Sequence, residues 1–416
     1  MSIFETTGET RASLRQRAAS ERFQRPEEPA TPDLPQPRGD EQDLQLALEW
    51  VVRVGASDLH VTADAPPTMR VDGSLVPLDE FGIWSSDRVE RALAAILTQP
   101  QREQFEQVLE LDFAYQLSDT ARFRVNVYQQ RSAQGAAFRL IPTRIRTIEE
   151  LELPKSITRF ATLPRGLVLV TGPTGSGKST TLAALIDLVN RTRAEHIITI
   201  EDPIEFIHPR KKAVVNQREV GHDTRSFASA LKHMLRQDPD VILVGEMRDL
   251  ETISVALTAA ETGHLVFATL HTQSAAQTID RIIDVYPPHQ QNQVRAQLAA
   301  TLEGVVCQTL VPRASGRGRV AASEVLVATS AVSNLIREGQ THQIPSALQA
   351  GAALGMRTLD QHLAELVNRG IIREESAREK AQNIDELRDM LANGGTAAAL
   401  DSGVDFGDAF SKGHRA

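Results

Sequence analysis

Cysteine, aromatic residues and long apolar runs are all scarce in this chain of 416 residues. The single cysteine, Cys307, excludes an intrachain disulfide and a four-cysteine zinc site, because both need more thiols than the chain has. We expect Cys307 to be a small packed side chain. No apolar run approaches the roughly 20 residues of a bilayer-spanning helix, and the first residues lack the apolar core of a signal peptide. The sequence therefore predicts a cytoplasmic protein without direct membrane insertion.

The charge balance narrows the class of protein further. Hydrophobic residues make up 41% and charged residues 24% of the chain, the mix of an ordinary globular protein. A formal net charge of −9 and an aromatic content of 4% argue against broad nucleic-acid binding, which uses basic and stacking side chains. No nucleic-acid partner is therefore expected.

Composition and periodicity divide the chain into segments. Residues 1–42 combine a proline cluster with few large apolar residues, so they predict a disordered tail, and residues 392–416, rich in Gly, Ala and Asp, predict another. Residues 43–143 are predicted to form an α+β domain and residues 144–165 a linker. In residues 166–391 short apolar strands alternate with helical segments, which predicts an α/β fold with a mostly parallel sheet.

A hairpin is predicted within the first domain. Thr68–Val71 and Ser74–Val76 are short apolar segments, and Asp72-Gly73 joins them. Asp-Gly tolerates the positive φ angles of a tight two-residue turn, so the two segments are expected to pair as antiparallel strands.

Arginines alternate with apolar residues in two later segments. In Arg122–Val127 this alternation places Arg122 and Arg124 together on the strand face opposite the apolar residues. In Ala137–Ile141 the same rule places Arg139 opposite its apolar neighbours. From alternation alone these are surface arginines.

A phosphate loop is predicted between the strand Leu167–Val170 and the helical run Thr180–Leu188. Its residues are Gly172, Pro173, Thr174, Gly175, Ser176, Gly177, Lys178 and Ser179. The glycines allow backbone N–H groups to converge on phosphate oxygens, and the following helix adds its positive end. Lys178 is expected to reach the terminal phosphates and the Ser179 hydroxyl to hold Mg²⁺. The sequence therefore predicts nucleotide binding at this loop, with Thr180 completing the contact set.

Acidic residues follow two of the predicted strands. Glu246 comes directly after Val241–Val244, at the edge of the parallel sheet that carries the phosphate loop. There it could coordinate Mg²⁺ through water or polarise the attacking water. Ile197–Ile200 runs into the cluster Glu201-Asp202-Pro203-Ile204-Glu205, in which Pro203 could direct Glu205 inward while Glu201 and Asp202 cap a turn.

Two histidines flank the predicted strand Leu265–Thr269. His264 precedes the strand and His271 follows it. A histidine is usually structural, but one at the carboxyl end of such a strand could hydrogen-bond the terminal phosphate.

Five motifs follow one another along the chain: Ala56-Ser57-Asp58-Leu59-His60, Gly172–Thr181, Thr199–Phe206, Val241–Asp249 and Gly263–Thr272. Together they resemble the PilT-type retraction ATPases of type IV pili, within the secretion ATPase superfamily. The resemblance covers residues 43–390. It implies a PAS-like N-terminal domain, a RecA-like C-terminal domain, and a homohexameric ring with ATP bound between the domains.

The resemblance also implies roles for individual residues. Glu205 matches the general base of the Asp box, Glu246 the Walker B residue at the Mg²⁺, and His271 the His-box residue near the terminal phosphate. Arg124 and Arg139 match arginines that approach the phosphates as the domains close, and Arg122 lies beside them. The implied activity is ATP hydrolysis that powers pilus retraction and twitching motility. The implied partner is an inner-membrane platform protein at the pilus base.

Two features place the chain within the superfamily. Extension ATPases and their type II secretion relatives commonly carry a tetracysteine zinc element, which one cysteine cannot supply. A signature of the retraction branch, Ala-Ile-Arg-Asn-Leu-Ile-Arg-Glu, stands here as residues 331–338, with Val332 in place of its first isoleucine and Ser333 in place of its first arginine.

Other functions fit parts of the sequence. A small-molecule kinase would share the phosphate loop, but the paired arginines and the His box count against it. A RecA-like nucleic-acid translocase would need a basic or aromatic track, and a secretion or pilus ATPase could differ in direction or partner. A scaffold that binds ATP without turnover would not need the carboxylates at the sheet edge.

Overall fold

The computed structural model describes residues 40–71, 74–118, 121–141 and 144–392. The predicted tails lie outside these residues, except that residues 40–42 and 392 belong to helices. The described chain forms two compact units. The first runs to Leu111 and adds Val127–Ala137, whereas the second comprises Asp112–Asn126 and the residues from Phe138 onward.

The first sheet is built from the N-terminal third of the chain. Its elements in chain order are α1 (Asp40–Val54), β1 (Asp58–Thr62), β2 (Thr68–Val71), β3 (Ser74–Pro77), α2 (Ser86–Ile96), α3 (Gln99–Val108), β4 (Glu110–Ser118), β5 (Ala121–Gln130) and β6 (Ala133–Ile141). The six strands have the order β3-β2-β1-β6-β5-β4. β2 and β3 pair antiparallel with Val71 opposite Ser74, so the predicted hairpin strands are confirmed, while the Asp72-Gly73 turn lies outside the described residues.

The second sheet carries the phosphate loop. Its elements are β7 (Gly166–Thr171), α4 (Lys178–Thr192), β8 (His196–Glu201), β9 (Val214–Glu219), α5 (Phe227–Met234), β10 (Val241–Val244), α6 (Leu250–Glu261), β11 (Leu265–Leu270), α7 (Ala275–Asp284), α8 (Pro288–Thr301), β12 (Leu302–Pro312) and β13 (Arg319–Val327). The seven strands have the order β13-β12-β7-β11-β10-β8-β9. Neighbours from β12 to β9 run parallel, and β13 pairs antiparallel with β12.

The central strands β7, β10 and β11 are buried along their whole length. Strands covered by helices on both faces read as continuous apolar runs, which is why the sequence predicts them well. The α/β fold with a mostly parallel sheet is thereby confirmed.

Short polar residues start the helices that follow the sheet. Asp249 accepts a hydrogen bond from the Thr252 N–H at 2.8 Å and begins α6, and Ser274 accepts one from the Gln277 N–H at 3.2 Å and begins α7. These caps satisfy backbone donors at helix starts and fix where each loop leaves the sheet.

Within residues 330–392, five helices follow β13: α9 (Ser330–Arg337), α10 (Ile344–Ala350), α11 (Leu359–Asn368), α12 (Glu374–Arg378) and α13 (Ile384–Ala392). Single-turn 3₁₀ segments occur at Asp79–Phe81, Thr341–Gln343 and Ala352–Leu354, and a longer one spans Lys155–Thr162.

Within the part of the chain that the structure describes, no helix is both long enough and apolar enough to cross a bilayer.

Cys307 is buried in β12, and its Sγ accepts a hydrogen bond from the Thr171 hydroxyl at 2.9 Å. Burial raises the pKa of this thiol far above its usual range, and the charge of Glu324 raises it further. The thiol is therefore neutral and packed, as the sequence leads us to expect.

Candidate active site

The predicted phosphate loop connects β7 to α4, as the sequence requires. Gly172 and Gly177 have φ angles of 142° and 89°, in the region that favours glycine. The Lys178 Nζ lies over the loop and donates to the backbone carbonyls of Gly172 and Pro173 at 2.9 and 3.2 Å. The lysine thus already points to the concave side on which such a loop holds phosphate.

Burial lowers the pKa of Lys178, and the negative charges of Glu246 and Glu205 partly offset this effect. Both predicted catalytic carboxylates therefore act electrostatically on the same ammonium group. Glu205 and Glu246 belong to loops after different strands, and the parallel sheet brings those loops to one edge.

Glu246 is half-buried at the carboxyl end of β10, where its Oε1 has two cationic or potentially cationic neighbours. His271 Nε2 lies 2.9 Å from it, and Arg248 Nε makes a short hydrogen bond with the same oxygen. Desolvation raises the pKa of Glu246, but the hydrogen bond from Arg248 and the charges of His271 and Arg248 outweigh it, so the pKa lies below its usual value. Glu246 is therefore ionised at neutral pH.

Neighbouring strands hold the backbone at Glu246 in place. The Gly245 N–H donates to the Ile200 carbonyl at 2.8 Å, and the Thr269 hydroxyl donates to the Gly245 carbonyl at 2.5 Å. A side chain at Gly245 would meet the Ile200 oxygen at 3.1 Å, which is tighter than ordinary contact. The glycine before Glu246 thus permits the close approach of β8.

The acidic cluster after β8 differs from the expected arrangement. Glu205 is exposed rather than turned into the protein, whereas Glu201 is buried. Glu201 accepts hydrogen bonds from the Thr199 hydroxyl at 2.6 Å and the Gln217 amide at 3.1 Å, and the Glu205 N–H lies 3.4 Å from its second oxygen. Burial raises the pKa of Glu201, although these hydrogen bonds oppose the rise. Glu201 therefore fixes the loop, and Glu205 remains free to face solvent and ligand.

The two histidines of the His box lie at opposite ends of the strand β11. His271 follows β11 at the edge with Glu246. His264 precedes β11, and its Nδ1 lies 2.9 Å from the Ala259 carbonyl at the end of α6. His264 is therefore a structural residue, and only His271 reaches the site.

Arg124 and Arg139 are exposed on neighbouring strands of the first sheet. The residues before them, Phe123 and Phe138, are buried and meet edge to face, with ring centroids 6.5 Å apart. Because side chains alternate along a strand, both arginines leave from the opposite, exposed face. The predicted strand faces are confirmed, and the approach of these arginines to phosphate stays a prediction.

Sequence reasoning misses two buried side chains near the site. Gln308 of β12 contacts the phosphate loop. Glu219 of β9 accepts a hydrogen bond from the Ile204 N–H at 3.1 Å and forms an ion pair with Arg122 at 3.2 Å. Glu219, Ile204 and Arg122 all belong to the second unit. A polar residue in a mostly apolar strand is the signal that identifies Gln308, since a buried amide needs partners.

The residues at the loop fit Mg²⁺ bound together with ATP. Across the described ranges, no group of three or more His, Cys, Asp or Glu could hold a metal ion by itself. Mg²⁺ at a phosphate loop needs few protein ligands because it keeps waters and takes phosphate oxygens. The Ser179 hydroxyl at the start of α4 and the ionised Glu246 carboxylate are the oxygen donors suited to it.

Known proteins resemble this chain over most of its length. The family described as type II/IV secretion system protein matches residues 42–402. The type IV pilus retraction ATPase PilT of Pseudomonas aeruginosa is 52% identical over 345 residues, which cover 82% of this chain and 98% of that protein. A twitching motility protein of Neisseria gonorrhoeae is 51% identical over 323 residues, 77% of this chain and 86% of that protein.

A solved structure supports the same relationship. The crystal structure of the pilus retraction motor PilT with bound ADP matches with a TM-score of 0.79 and 45% identity, and the match covers 83% of this chain and 99% of that chain. The phosphate loop, the edge carboxylates and the His box described above lie within the matched family region. The chain therefore belongs to the type II/IV secretion system protein family and, within it, to the PilT-type pilus retraction ATPases.

Proposed function

We propose that this chain is a motor that couples ATP hydrolysis to retraction of type IV pili, working as a homohexamer with Mg²⁺. The observation that carries the proposal is the meeting of Lys178, Glu246 and His271 at one edge of the second sheet. This edge combines a phosphate cradle with an ionised carboxylate that can act on water.

In this proposal the chain's own residues divide the work. Backbone N–H groups of residues 172–180 bind the phosphate chain, and Lys178 exchanges its loop carbonyls for the terminal phosphates. Glu205 accepts a proton from the attacking water, and Glu246 orients that water. Mg²⁺ on Ser179 and, through water, on Glu246 would neutralise phosphate charge. His271 responds to the terminal phosphate, because its ring already contacts Glu246.

Arg124 and Arg139 supply the remaining positive charge when the domains of residues 43–143 and 166–391 close. An arginine delivered only in the closed arrangement stabilises charge that develops in the transition state. Domain closure and hydrolysis then form one coupled step. The force acts on an inner-membrane platform protein, so we place the ring at the cytoplasmic face of the pilus base.

Steady-state ATPase activity and solution mass, measured on the same sample, test this function. We expect Mg²⁺-dependent hydrolysis, a mass of six chains and no stimulation by DNA. Lys178→Ala should abolish ATP binding, because no other side chain of the loop can place a positive charge on the terminal phosphates. DNA-stimulated hydrolysis would instead favour a translocase, and tight ATP binding by Lys178→Ala would contradict the site.

Retraction itself needs a test in cells. A strain carrying only the Lys178→Ala chain should assemble surface pili yet fail to move by twitching. Normal twitching in that strain would contradict the proposed function even if the purified protein hydrolysed ATP.

A further inference from the structure

Gln308 of β12 forms a buried wall behind the phosphate loop. Its side chain is enclosed, with 3% of the residue exposed. Nε2 donates to the Ser176 carbonyl at 2.7 Å, and Oε1 accepts from the Thr181 hydroxyl at 2.8 Å. Both ends of the amide are thus engaged, one by the loop and one by the helix that follows it.

The orientation of this amide follows from its partners. A backbone carbonyl can only accept a hydrogen bond, so the Gln308 nitrogen must face Ser176 and the oxygen must face Thr181. A threonine hydroxyl can donate, which satisfies that oxygen. The contact to Thr181 therefore locks the amide with its donor towards the loop.

At Gly172 and Gly177 the phosphate loop passes Gln308 too closely to leave room for a side chain. A Cβ on Gly172 would lie 2.2 Å from the Gln308 backbone oxygen, and a Cβ on Gly177 would lie 3.1 Å from Gln308 Nε2. Two glycines of the phosphate loop are therefore shaped by this single residue of β12, as well as by the phosphate that the loop receives.

The peptide between Ser176 and Gly177 connects Gln308 to the ligand. In a planar trans peptide the carbonyl and the N–H point in opposite directions. Because Gln308 draws the Ser176 carbonyl to the outside of the loop, the Gly177 N–H faces the inside. We propose that Gln308 is a positioning residue, which orients the Gly177 N–H for the phosphate chain of ATP and ADP through its hydrogen bond to Ser176.

Two substitutions separate the hydrogen bond from the packing. Gln308→Met keeps the length of the side chain and removes both hydrogen bonds. Gln308→Glu keeps the shape and an acceptor for Thr181, but the ionised carboxylate cannot donate to the Ser176 carbonyl. Thr181→Val, a near-isosteric control, removes only the contact that locks the amide.

The full-length protein is titrated with ADP by calorimetry at pH 8. We expect at least a tenfold loss of ADP affinity for Gln308→Met and Gln308→Glu, and a smaller loss for Thr181→Val. The melting temperature without nucleotide should stay within a few degrees of wild type for at least one Gln308 variant. ADP affinity within twofold of wild type in both Gln308 variants would overturn the proposal.

The pH dependence of Gln308→Glu adds a second test, because only the protonated carboxyl can donate to the Ser176 carbonyl and only the ionised form repels the phosphate chain. A protonated carboxyl can donate to the Ser176 carbonyl again, and burial brings its protonation into an accessible pH range. The ratio of the Gln308→Glu affinity to the wild-type affinity should therefore rise between pH 8 and pH 5.5, while the ratio for Gln308→Met stays flat. A flat ratio for both variants would contradict the proposed hydrogen bond.

The role of Gln308 rests on the nucleotide binding of the proposed function, and the two can fail separately. If the wild-type protein does not bind ADP, the proposed function fails. If it binds ADP and the Gln308 variants bind equally well, only the role of Gln308 fails.

Discussion

At the scale of single residues, Glu246 is the point at which the charges of the site meet. One oxygen of its carboxylate contacts both His271 and Arg248. A ligand that needs this oxygen must compete with these two neighbours.

Glu246→Gln should retain ADP binding and slow ATP turnover by about a hundredfold or more, because the amide keeps the shape and an acceptor oxygen but loses the charge. The measurement is the steady-state ATPase rate together with ADP affinity. Turnover near the wild-type rate would move the catalytic role away from Glu246.

Glu205→Gln tests the general base separately. Its exposed position predicts that the substitution leaves the fold unchanged, so the melting temperature should match that of the wild type. Turnover should fall by about a hundredfold with little change in ATP affinity. A mild effect on turnover would assign the proton acceptor to Glu246 instead.

Glu324 is a buried carboxyl of β13, away from the loop. It accepts a hydrogen bond from the Ala275 N–H at 2.7 Å, at the start of α7, and another from the Leu359 N–H, at the start of α11. Desolvation raises its pKa to about 7, and the charge of Asp360 adds to the rise. The neutral thiol of Cys307 lies opposite it on β12.

The raised pKa of Glu324 makes unfolding free energy depend on pH. The folded state holds the proton between about pH 4.5 and 7, where the unfolded chain has lost it, so this contribution to stability is lost as pH rises through 7. Glu324→Gln removes that loss, which is at most about 3 kcal/mol. Relative to wild type, the variant should therefore be more stable at pH 8 than at pH 5 in urea unfolding. An equal difference at both pH values would contradict the raised pKa.

At the scale of elements, β5 and β6 present Arg124 and Arg139 from one sheet. Their apolar neighbours Phe123 and Phe138 pack on the other face. The side chains that stabilise the sheet and the guanidinium groups for which we propose a function therefore lie on opposite faces.

Arg124→Ala and Arg139→Ala should each leave the fold and the solution mass unchanged while lowering turnover far more than ATP affinity. Arginine fingers of other NTPases are worth about 10³ to 10⁵ in rate. Lysine at either position should restore little, since a point charge cannot replace the planar guanidinium. Full activity after removal of both arginines would contradict the closure mechanism and leave the phosphate-loop assignment intact.

The sequence predicts the elements whose signals are local. β10 is found with its observed bounds because it is an uninterrupted apolar run, and the phosphate loop is found because its glycines and lysine have fixed spacing. β12 and β13 are missed, because Gln308 and Glu324 interrupt their apolar pattern. The partners that satisfy these polar groups lie more than 30 residues away along the chain.

The helix α9 contains Ser333, the serine that replaces an arginine of the retraction-branch signature. Val332 and Ile336 are buried, whereas Asn334 and Arg337 are exposed, so the helix packs one face and presents the other. Ser333 lies at the margin between the two faces. Serine instead of arginine at this position removes a positive charge from the outer surface and leaves the core unchanged.

At the scale of the whole molecule, the proposed ring makes activity depend on concentration. If six chains are needed for an active site, ATP turnover per chain should rise with protein concentration and reach a plateau where ultracentrifugation gives the mass of six chains. Wild type at low concentration keeps Arg124 but lacks the assembly, whereas Arg124→Ala at high concentration keeps the assembly but lacks the arginine. Comparing their turnover separates these two causes of lost activity. Full turnover at the mass of one chain would contradict the hexameric motor.

Because Cys307 is unreactive, subunits of the proposed ring can be labelled at a single introduced cysteine and their movements followed by spectroscopy. The chain has no other thiol, and this one is buried, protonated and bonded to Thr171. Because maleimide reagents attack exposed thiolates, they should pass over Cys307 in the folded protein. A cysteine introduced at an exposed position such as Asn334 could then carry a single fluorophore or spin label, with the native sequence otherwise intact. Distances between labels on neighbouring chains would follow subunit motion during turnover.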